Sequence, residues 1–250
     1  MHVLVIGGAG MVGSNVVPHL AQRHTVRVLD QRPLDVGGVE SVTGDARSPD
    51  DVAAAVEGVD GVVHMAAAIP RAKGYDAAAN RLAFEVNVAS LHLALSAAAS
   101  AGARSFVHIS TMSVFGDYST RLIDPAAAPD SVEPYGLTKR LGEQVVAALS
   151  PTLGLPACSL RLIFPTPDAD WPLWRSPEGF APREMRMRDG TSTQIPPLAA
   201  ADLAAAIDRA LAWTGPYRPF TVTADVAGVS VRPDDTQAAL GWVPGRVLAH

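Results

Sequence analysis

The chain has 250 residues, with 20 Lys+Arg against 25 Asp+Glu and a formal net charge of −5. Its basic residues are scattered, which argues against a nucleic-acid or anionic-lipid face and leaves a small molecule as the expected partner. A strand reading from residue 2 leaves no room for a signal sequence, and no apolar run reaches the roughly 18 residues of a membrane span, so a cytoplasmic setting is expected. Cys158 is the one cysteine and lies in the apolar run Ala157-Cys158-Ser159-Leu160. That excludes an internal disulfide and reads as a small core residue rather than a nucleophile. No metal site is expected.

Val3-Leu4-Val5-Ile6 is rich in β-branched residues and runs directly into Gly7-Gly8-Ala9-Gly10-Met11-Val12-Gly13, then into a helical stretch. The order is strand, glycine turn, helix. Gly7 permits the tight turn, Gly10 has no Cβ to block a pyrophosphate, and Gly13 lets the helix pack close to the strand. Met11 and Val12 belong to the same turn, where the N–H groups of a helix start face phosphates. A second strand, Thr25-Val26-Arg27-Val28-Leu29, ends in Asp30, where an acid would bond the adenosine ribose. Two residues on, Arg32 would either stack on adenine or partly accommodate a 2′-phosphate. The acid favours NAD over NADP.

Val39-Glu40-Ser41-Val42-Thr43 reads as a third strand leading to Gly44-Asp45-Ala46-Arg47. Asp45, with Ala46 beside it, sits where a carboxylate would accept from the adenine amino group; a cap before Ser48-Pro49 is the other reading. Residues 51–57 read as a short helix, and Gly61-Val62-Val63-His64-Met65-Ala66-Ala67 as a fourth strand. Its exit at Ala66 and Ala67 leaves room for a cofactor, while His64 reads as a structural group at a buried strand end. Residues 81–101 read as a long alanine-rich helix with Phe84, Val88, Leu91 and Leu95 at helical spacing and Asn87 in its first half.

Residues 105–110 read as a fifth strand, ending in the hydroxyl-rich segment Ser110-Thr111-Met112-Ser113-Val114-Phe115-Gly116. After a loop of prolines and acids, Tyr135-Gly136-Leu137-Thr138-Lys139 opens a helix to about Leu149. Tyr135 and Lys139 are four apart and share a helix face, so an ammonium can sit near a phenol. Residues 155–163 read as a sixth strand. Residues 164–197 are proline-rich with no helical rhythm and read as a substrate cap. Residues 199–213 read as a helix, Phe220-Thr221-Val222 as a short strand and residues 234–240 as a final helix. The expected architecture is α/β: a Rossmann-type doubly wound parallel sheet over residues 1–163, with a small loop-rich C-terminal substrate cap over residues 164–250 folded against it.

Jointly, these residues resemble the extended short-chain dehydrogenase/reductase family, in its NAD-dependent epimerase/dehydratase branch. Gly7, Gly10 and Gly13 match its glycine motif, Asp45 its acid after the third strand, and His64-Met65-Ala66-Ala67 its strand-four exit. Asn87-Val88 matches the long-helix asparagine, Thr111 the catalytic hydroxyl three before Val114-Phe115-Gly116, and Tyr135 with Lys139 the YxxxK pair. The resemblance covers residues 1–163 and implies an NAD-dependent oxidoreductase. Tyr135 would exchange a proton with a substrate hydroxyl or carbonyl, Thr111 would hold the same oxygen, and Lys139 would bind the nicotinamide ribose and favour the tyrosinate. It also implies a homodimer through residues 81–101 and 135–149, whose Leu82, Leu93, Val145 and Val146 the parent sheet would leave uncovered.

The chain departs from the nucleotide-sugar members in two places. Only 111 residues follow Lys139 (250 − 139), short of their large C-terminal domain, and Leu162-Ile163-Phe164-Pro165 follows Arg161 where an asparagine is usual. The short tail is similar to uronate dehydrogenases in Thr166-Pro167-Asp168 and Leu240-Gly241-Trp242. That likeness makes Arg175 a candidate carboxylate clamp, with Ser113 and Arg161 also at the substrate. The expected reaction is hydride transfer between NAD and a hydroxyl or carbonyl of a small sugar-like substrate. The alternatives are a nucleotide-sugar epimerase or dehydratase that recycles its NAD, and a non-catalytic dinucleotide sensor.

Overall fold

The computed structural model describes residues 1–70, 76–176 and 179–248. Residues 177–178 and 249–250 of the expected cap lie outside the described residues. In chain order the elements are β1 (His2–Ile6), α1 (Gly13–Leu20), β2 (Thr25–Asp30), β3 (Val39–Thr43), α2 (Pro49–Val56), β4 (Gly61–His64), α3 (Ala77–Phe84) and α4 (Ser90–Ser100). They continue with β5 (Ser105–Thr111), α5 (Pro134–Leu153), β6 (Ala157–Leu162), β7 (Pro165–Thr166), β8 (Met185–Arg186), β9 (Gln194–Ile195), β10 (Leu198–Ala199), α6 (Ala200–Leu211), β11 (Pro219–Val222) and α7 (Thr236–Leu240).

Seven strands form one sheet in the order β11-β6-β5-β4-β1-β2-β3, and every pairing in it is parallel. The run of β1 is apolar without a break because both of its faces are covered. Val3 and Val5 enter one core with Val16, Val17 and Leu20 of α1 and Leu203 and Ile207 of α6. Leu4 and Ile6 enter the other with Val52 of α2 and Leu91 and Leu95 of α4. Each such Val, Leu or Ile contributes roughly 1.5–3 kcal/mol by leaving water. The order in which strands are added reverses between β1 and β4, so the crevice over the carboxyl ends of the central strands opens there. This is the doubly wound architecture expected from the sequence.

The long helix is more elaborate than its periodicity indicates. Asp76 caps it by accepting from the N–H groups of Ala78 and Ala79, both at 3.0 Å, and a π-helical turn at Glu85–Ala89 joins α3 to α4. The wider turn shifts the phase of the apolar stripe. Leu91 and Leu95 are buried as their spacing requires, whereas Phe84 stands exposed. The whole helix, Ala77–Ser100, is 24 residues long and by length and composition alone could cross a membrane, but Asn80, Arg81, Glu85, Asn87 and His92 interrupt its apolar residues. Its Leu91, Ala94, Leu95 and Ala98 are nonetheless packed in the core. Of the residues expected to lie uncovered, Val146 is buried in that core, whereas Leu82 is exposed at the rim of the cleft. Leu93 and Val145 remain half-exposed.

After β6 the chain divides its duties. α6, β11 and α7 complete the main body: β11 pairs with β6, and Phe220, Leu240 and Trp242 enter the first core. The remainder forms a cap with β7 paired to β10 and a β8–β9 hairpin, around a third cluster that includes Met112, Phe115, Ile163, Phe164, Met187 and Ile195. Asp168 fastens it to the main body, accepting from His19 Nε2 at 2.8 Å and from Arg246 Nη1 at 2.5 Å.

Candidate active site

The glycine turn is built as its spacing requires. Gly7 has φ +85°, and a Cβ there would lie 2.5 Å from the Ala66 backbone. At Gly13 a Cβ would lie 2.5 Å from the Gly8 carbonyl oxygen, so only glycine lets the start of α1 approach the end of β1 this closely. No side chain caps the first turn of α1, which leaves that end to the cleft. Gly7, Gly10, Met11, Val12 and Gly13 all line a cleft of about 810 Å³ that runs across the switch point, within the size range of cofactor sites.

Asp30, at the end of β2, accepts from the N–H of Ala9 at 3.0 Å and of Arg32 at 3.1 Å. The Arg32 guanidinium donates to the Ala9 carbonyl at 2.6 Å, so it is tied to the glycine turn rather than free to swing out. Asp45, Ala46, Ala66 and Ala67 also line the cleft. The Asp45 carboxylate is already bonded to Gln31 at 3.0 Å and to Arg47 Nη2 at 2.7 Å, and the Arg47 hydrogen bonds hold its pKa down at about 2. Asn87 stands behind the wall instead of in the cleft. It is fully buried, accepts from the Ala68 N–H at 2.8 Å, and donates to the Ala68 carbonyl and to Thr138 Oγ1, both at 2.9 Å. Its work is to clamp the β4 exit to α5. His64 is buried, bonded to Ser90 Oγ at 3.0 Å, and held neutral with a pKa near 3 by burial and then by Lys139.

Thr111, Tyr135 and Lys139 line the opposite end of this cleft. Thr111 closes β5, and its Oγ1 accepts from the Ser113 N–H at 3.1 Å. The Tyr135 phenol is bonded to Thr111, yet burial pushes its pKa up to about 12. Lys139 lies against His108, Nζ to Nε2 at 3.0 Å, and burial lowers its pKa to about 7, with Glu143 acting the other way. The expected lowering of Tyr135 by Lys139 is therefore missing from this arrangement: the ammonium is parked on an imidazole, and Thr111 is the group that acts downward on the phenol. Gly136, which the sequence reading passed over, sets how close these groups come. A Cβ on it would lie 2.1 Å from the Ser113 carbonyl oxygen and 2.2 Å from Ser131 Oγ.

Beside Thr111 and Tyr135, Ser113 lines the cleft together with Tyr118, Phe164 and Trp174, three aromatics that sequence reasoning missed. Their ring centroids are 5.7 Å apart for Tyr118–Phe164 and 5.3 Å for Phe164–Trp174. Phe164 has φ +44°, backbone strain of the kind that clusters at functional sites; the absent asparagine after β6 was its signal. Arg161 and Arg175 are corrections. Arg161 is turned inward, its Nε and Nη2 on the Glu143 carboxylate at 2.9 and 2.7 Å and both partners buried. Arg175 pairs with Asp170 at the surface. Each arginine has satisfied its charge outside the cleft.

The cleft therefore joins a dinucleotide-type glycine turn to a threonine, a tyrosine and a lysine. The model of the NAD dependent epimerase/dehydratase family matches residues 3–164. The chain belongs to this family. It is 33% identical over 177 residues to a "3-beta-hydroxysteroid dehydrogenase" of Mycolicibacterium neoaurum, a match covering 64% of this chain and 46% of the relative. It is 31% identical over 175 residues to a "2-alkyl-3-oxoalkanoate reductase" of Stenotrophomonas maltophilia, covering 66% and 51%. The chain thus spans about half the length of these relatives. In three dimensions it is similar to uronate dehydrogenase from Agrobacterium tumefaciens, with a TM-score of 0.77 and 21% identity over 98% of this chain and 85% of that one, a likeness of fold. Family and fold both agree with the sequence expectation.

Proposed function

We propose that the chain is an NAD-linked oxidoreductase that moves hydride between the nicotinamide and a hydroxyl- or carbonyl-bearing carbon of a small, neutral, sugar-like substrate. One observation carries this reading: Thr111, Tyr135 and Lys139 share a cleft with Gly7, Gly10 and Asp30. The cradle fits the cofactor. Gly10 adds no side chain over the turn, the start of α1 carries no competing cap, and Asp30 faces the same cleft. Bound NAD supplies the hydride acceptor. Tyr135 would give or take the proton of the substrate oxygen, Thr111 would hold that oxygen, and Lys139 would supply a cation to the nicotinamide ribose. Asp45 and Ala46, which line the cleft, would border the adenine, and Asn87 keeps Ala68 of the Ala66–Ala68 wall in place.

The choice of a neutral substrate follows from the two corrected arginines. With Arg161 on Glu143 and Arg175 on Asp170, neither is available to a uronate carboxylate or a sugar diphosphate. The substrate end instead presents hydroxyls at Ser113, Tyr118 and Tyr135 and rings at Phe164 and Trp174, surfaces suited to a hydroxylated ring. The relatives' names, a hydroxysteroid dehydrogenase and an oxoalkanoate reductase, agree with hydroxyl–carbonyl redox. The reading includes a homodimer and a cytoplasmic setting.

The test is incubation of the purified chain with NAD and separate neutral aldoses, cyclic alcohols, free uronic acids and sugar nucleotides, following reduced nicotinamide by absorbance. Net reduction with a neutral hydroxyl compound is the expected result. Turnover of a sugar nucleotide with no net absorbance change would replace the reading with internally recycled hydride. NAD binding without turnover of any class would leave a sensor.

A further inference from the structure

Behind Lys139, on the side away from the cleft, a line of polar side chains crosses the sheet. Lys139 Nζ is 3.0 Å from His108 Nε2, His108 Nδ1 is 3.0 Å from Ser159 Oγ, and Ser159 Oγ is 3.0 Å from the Tyr217 hydroxyl. Lys139, His108 and Ser159 are buried, and Tyr217, in the loop before β11, is half-buried at the far end. Gly142 on α5 makes room for the imidazole: a Cβ there would lie 3.2 Å from His108 Cε1.

Each link can run in either direction. With Lys139 as an ammonium, Nζ donates to Nε2, His108 carries its proton on Nδ1 and donates to Ser159, Ser159 donates to Tyr217, and the phenol donates outward. With Lys139 as an amine, every donor and acceptor is reversed and His108 carries its proton on Nε2. The two states differ by one proton.

We propose that His108, Ser159 and Tyr217 form a proton conduit through which Lys139 exchanges its proton with solvent behind the cleft. In the outward step a proton passes from Nζ to Nε2, from Nδ1 to Ser159 Oγ, from Ser159 Oγ to the Tyr217 oxygen, and from the Tyr217 hydroxyl to water. Each N–H or O–H bond broken is matched by one formed, the charge leaves with the water, and no electrons move. The inward step is the reverse. His108 acts through Lys139 and is a positioning residue; the inference rests on the proposed place of Lys139 in the cleft.

The surroundings keep the proton on this line. Burial, then Lys139 and His64, hold His108 well below its ordinary pKa, so it changes tautomer rather than becoming charged. From β4, His64 faces it but is bonded to Ser90. On α5, Glu143 is paired with Arg161 of β6. Cys158 and Tyr217 are both pushed up by burial and stay protonated at rest. Lys139, near 7, holds both states accessible at neutral pH.

The first test uses cofactor-free protein labelled with ¹⁵N-histidine, with the His108 signal assigned by its loss in His108→Asn. The expected result is an Nδ1–H tautomer below about pH 7 that becomes Nε2–H above it, with loss of the switch in Lys139→Met. A single tautomer from pH 6 to 9 in the native protein overturns the proposal whatever the enzyme's substrate is. The second test is Tyr217→Phe, which keeps Lys139, His108 and Ser159 but removes the outlet. Its kcat should fall by about tenfold, less than loss of a direct proton donor, at unchanged KM and with partial rescue by imidazole buffer. Unchanged kcat and pH profile in this variant would also overturn it. Failure of the proposed redox function would show separately, as absent turnover in the native protein with the tautomer switch intact.

Discussion

Asp30 and Lys139 each make a claim that one titration can check. Asp30 keeps its carboxylate at the cofactor end by two backbone N–H bonds, and a 2′-phosphate would bring like charge against it. NADP should therefore bind more weakly than NAD, and calorimetry showing equal affinity would remove Asp30 from this role. Arg32, held on the Ala9 carbonyl, is already committed to another acceptor. For Lys139 the sign follows from its lowered folded-state value of about 7 against 10.5. Between those values the unfolded chain binds the extra proton, so stability rises with pH over this window and is at its lowest level below about 7. Tyr135, raised from 10.0 to about 12, works in the opposite sense above pH 10. Denaturation midpoints at pH 6, 7.5 and 9 should climb, and Lys139→Met should flatten the climb.

The elements were unevenly legible. β1, the glycine turn and α1 follow from local chemistry, since a positive φ at Gly7 and a close approach at Gly13 can be met only by glycine. The π-helical turn at Glu85–Ala89 leaves no such mark, and Phe84, which shares the helical spacing of buried Leu91 and Leu95, is exposed. Arg161 looked like a ligand because its sequence position says nothing of Glu143, a residue on another element that takes both of its nitrogens. Asn87 was found by its motif, but its bonds to Ala68 and Thr138 could not be read from it. Gly136 is the element-scale test. Its replacement by Ala must push the start of α5 away from Ser113 and Ser131, and a displacement near 1 Å at a reacting group costs about 10² in rate. Gly136→Ala should lose kcat on that scale while retaining NAD affinity; unchanged kcat would show that the approach is not needed.

At the scale of the whole molecule, the strand–helix alternation revealed the doubly wound sheet, whereas the assignment of β11 to it could not be seen, because pairing of Pro219–Val222 with β6 is set by distant contacts. The aromatic wall of Tyr118, Phe164 and Trp174 was hidden for the same reason. Oligomerisation also belongs here. With Val146 in the core and Leu82 exposed at the rim of the cleft, the outer face of α4 and α5 still carries half-exposed Leu93 and Val145, and a two-fold contact there would cover them. Light scattering at micromolar concentration should give twice the chain mass, and a monomer mass would remove the dimer. The central claim, that the end of the cleft built by Thr111, Tyr135 and Lys139 does proton chemistry beside a nicotinamide, is tested most directly by Tyr135→Phe. Measured on the neutral substrate found by the panel, the variant should bind NAD as the native chain does and lose about 10² or more in turnover; near-native turnover with intact NAD binding would contradict the account.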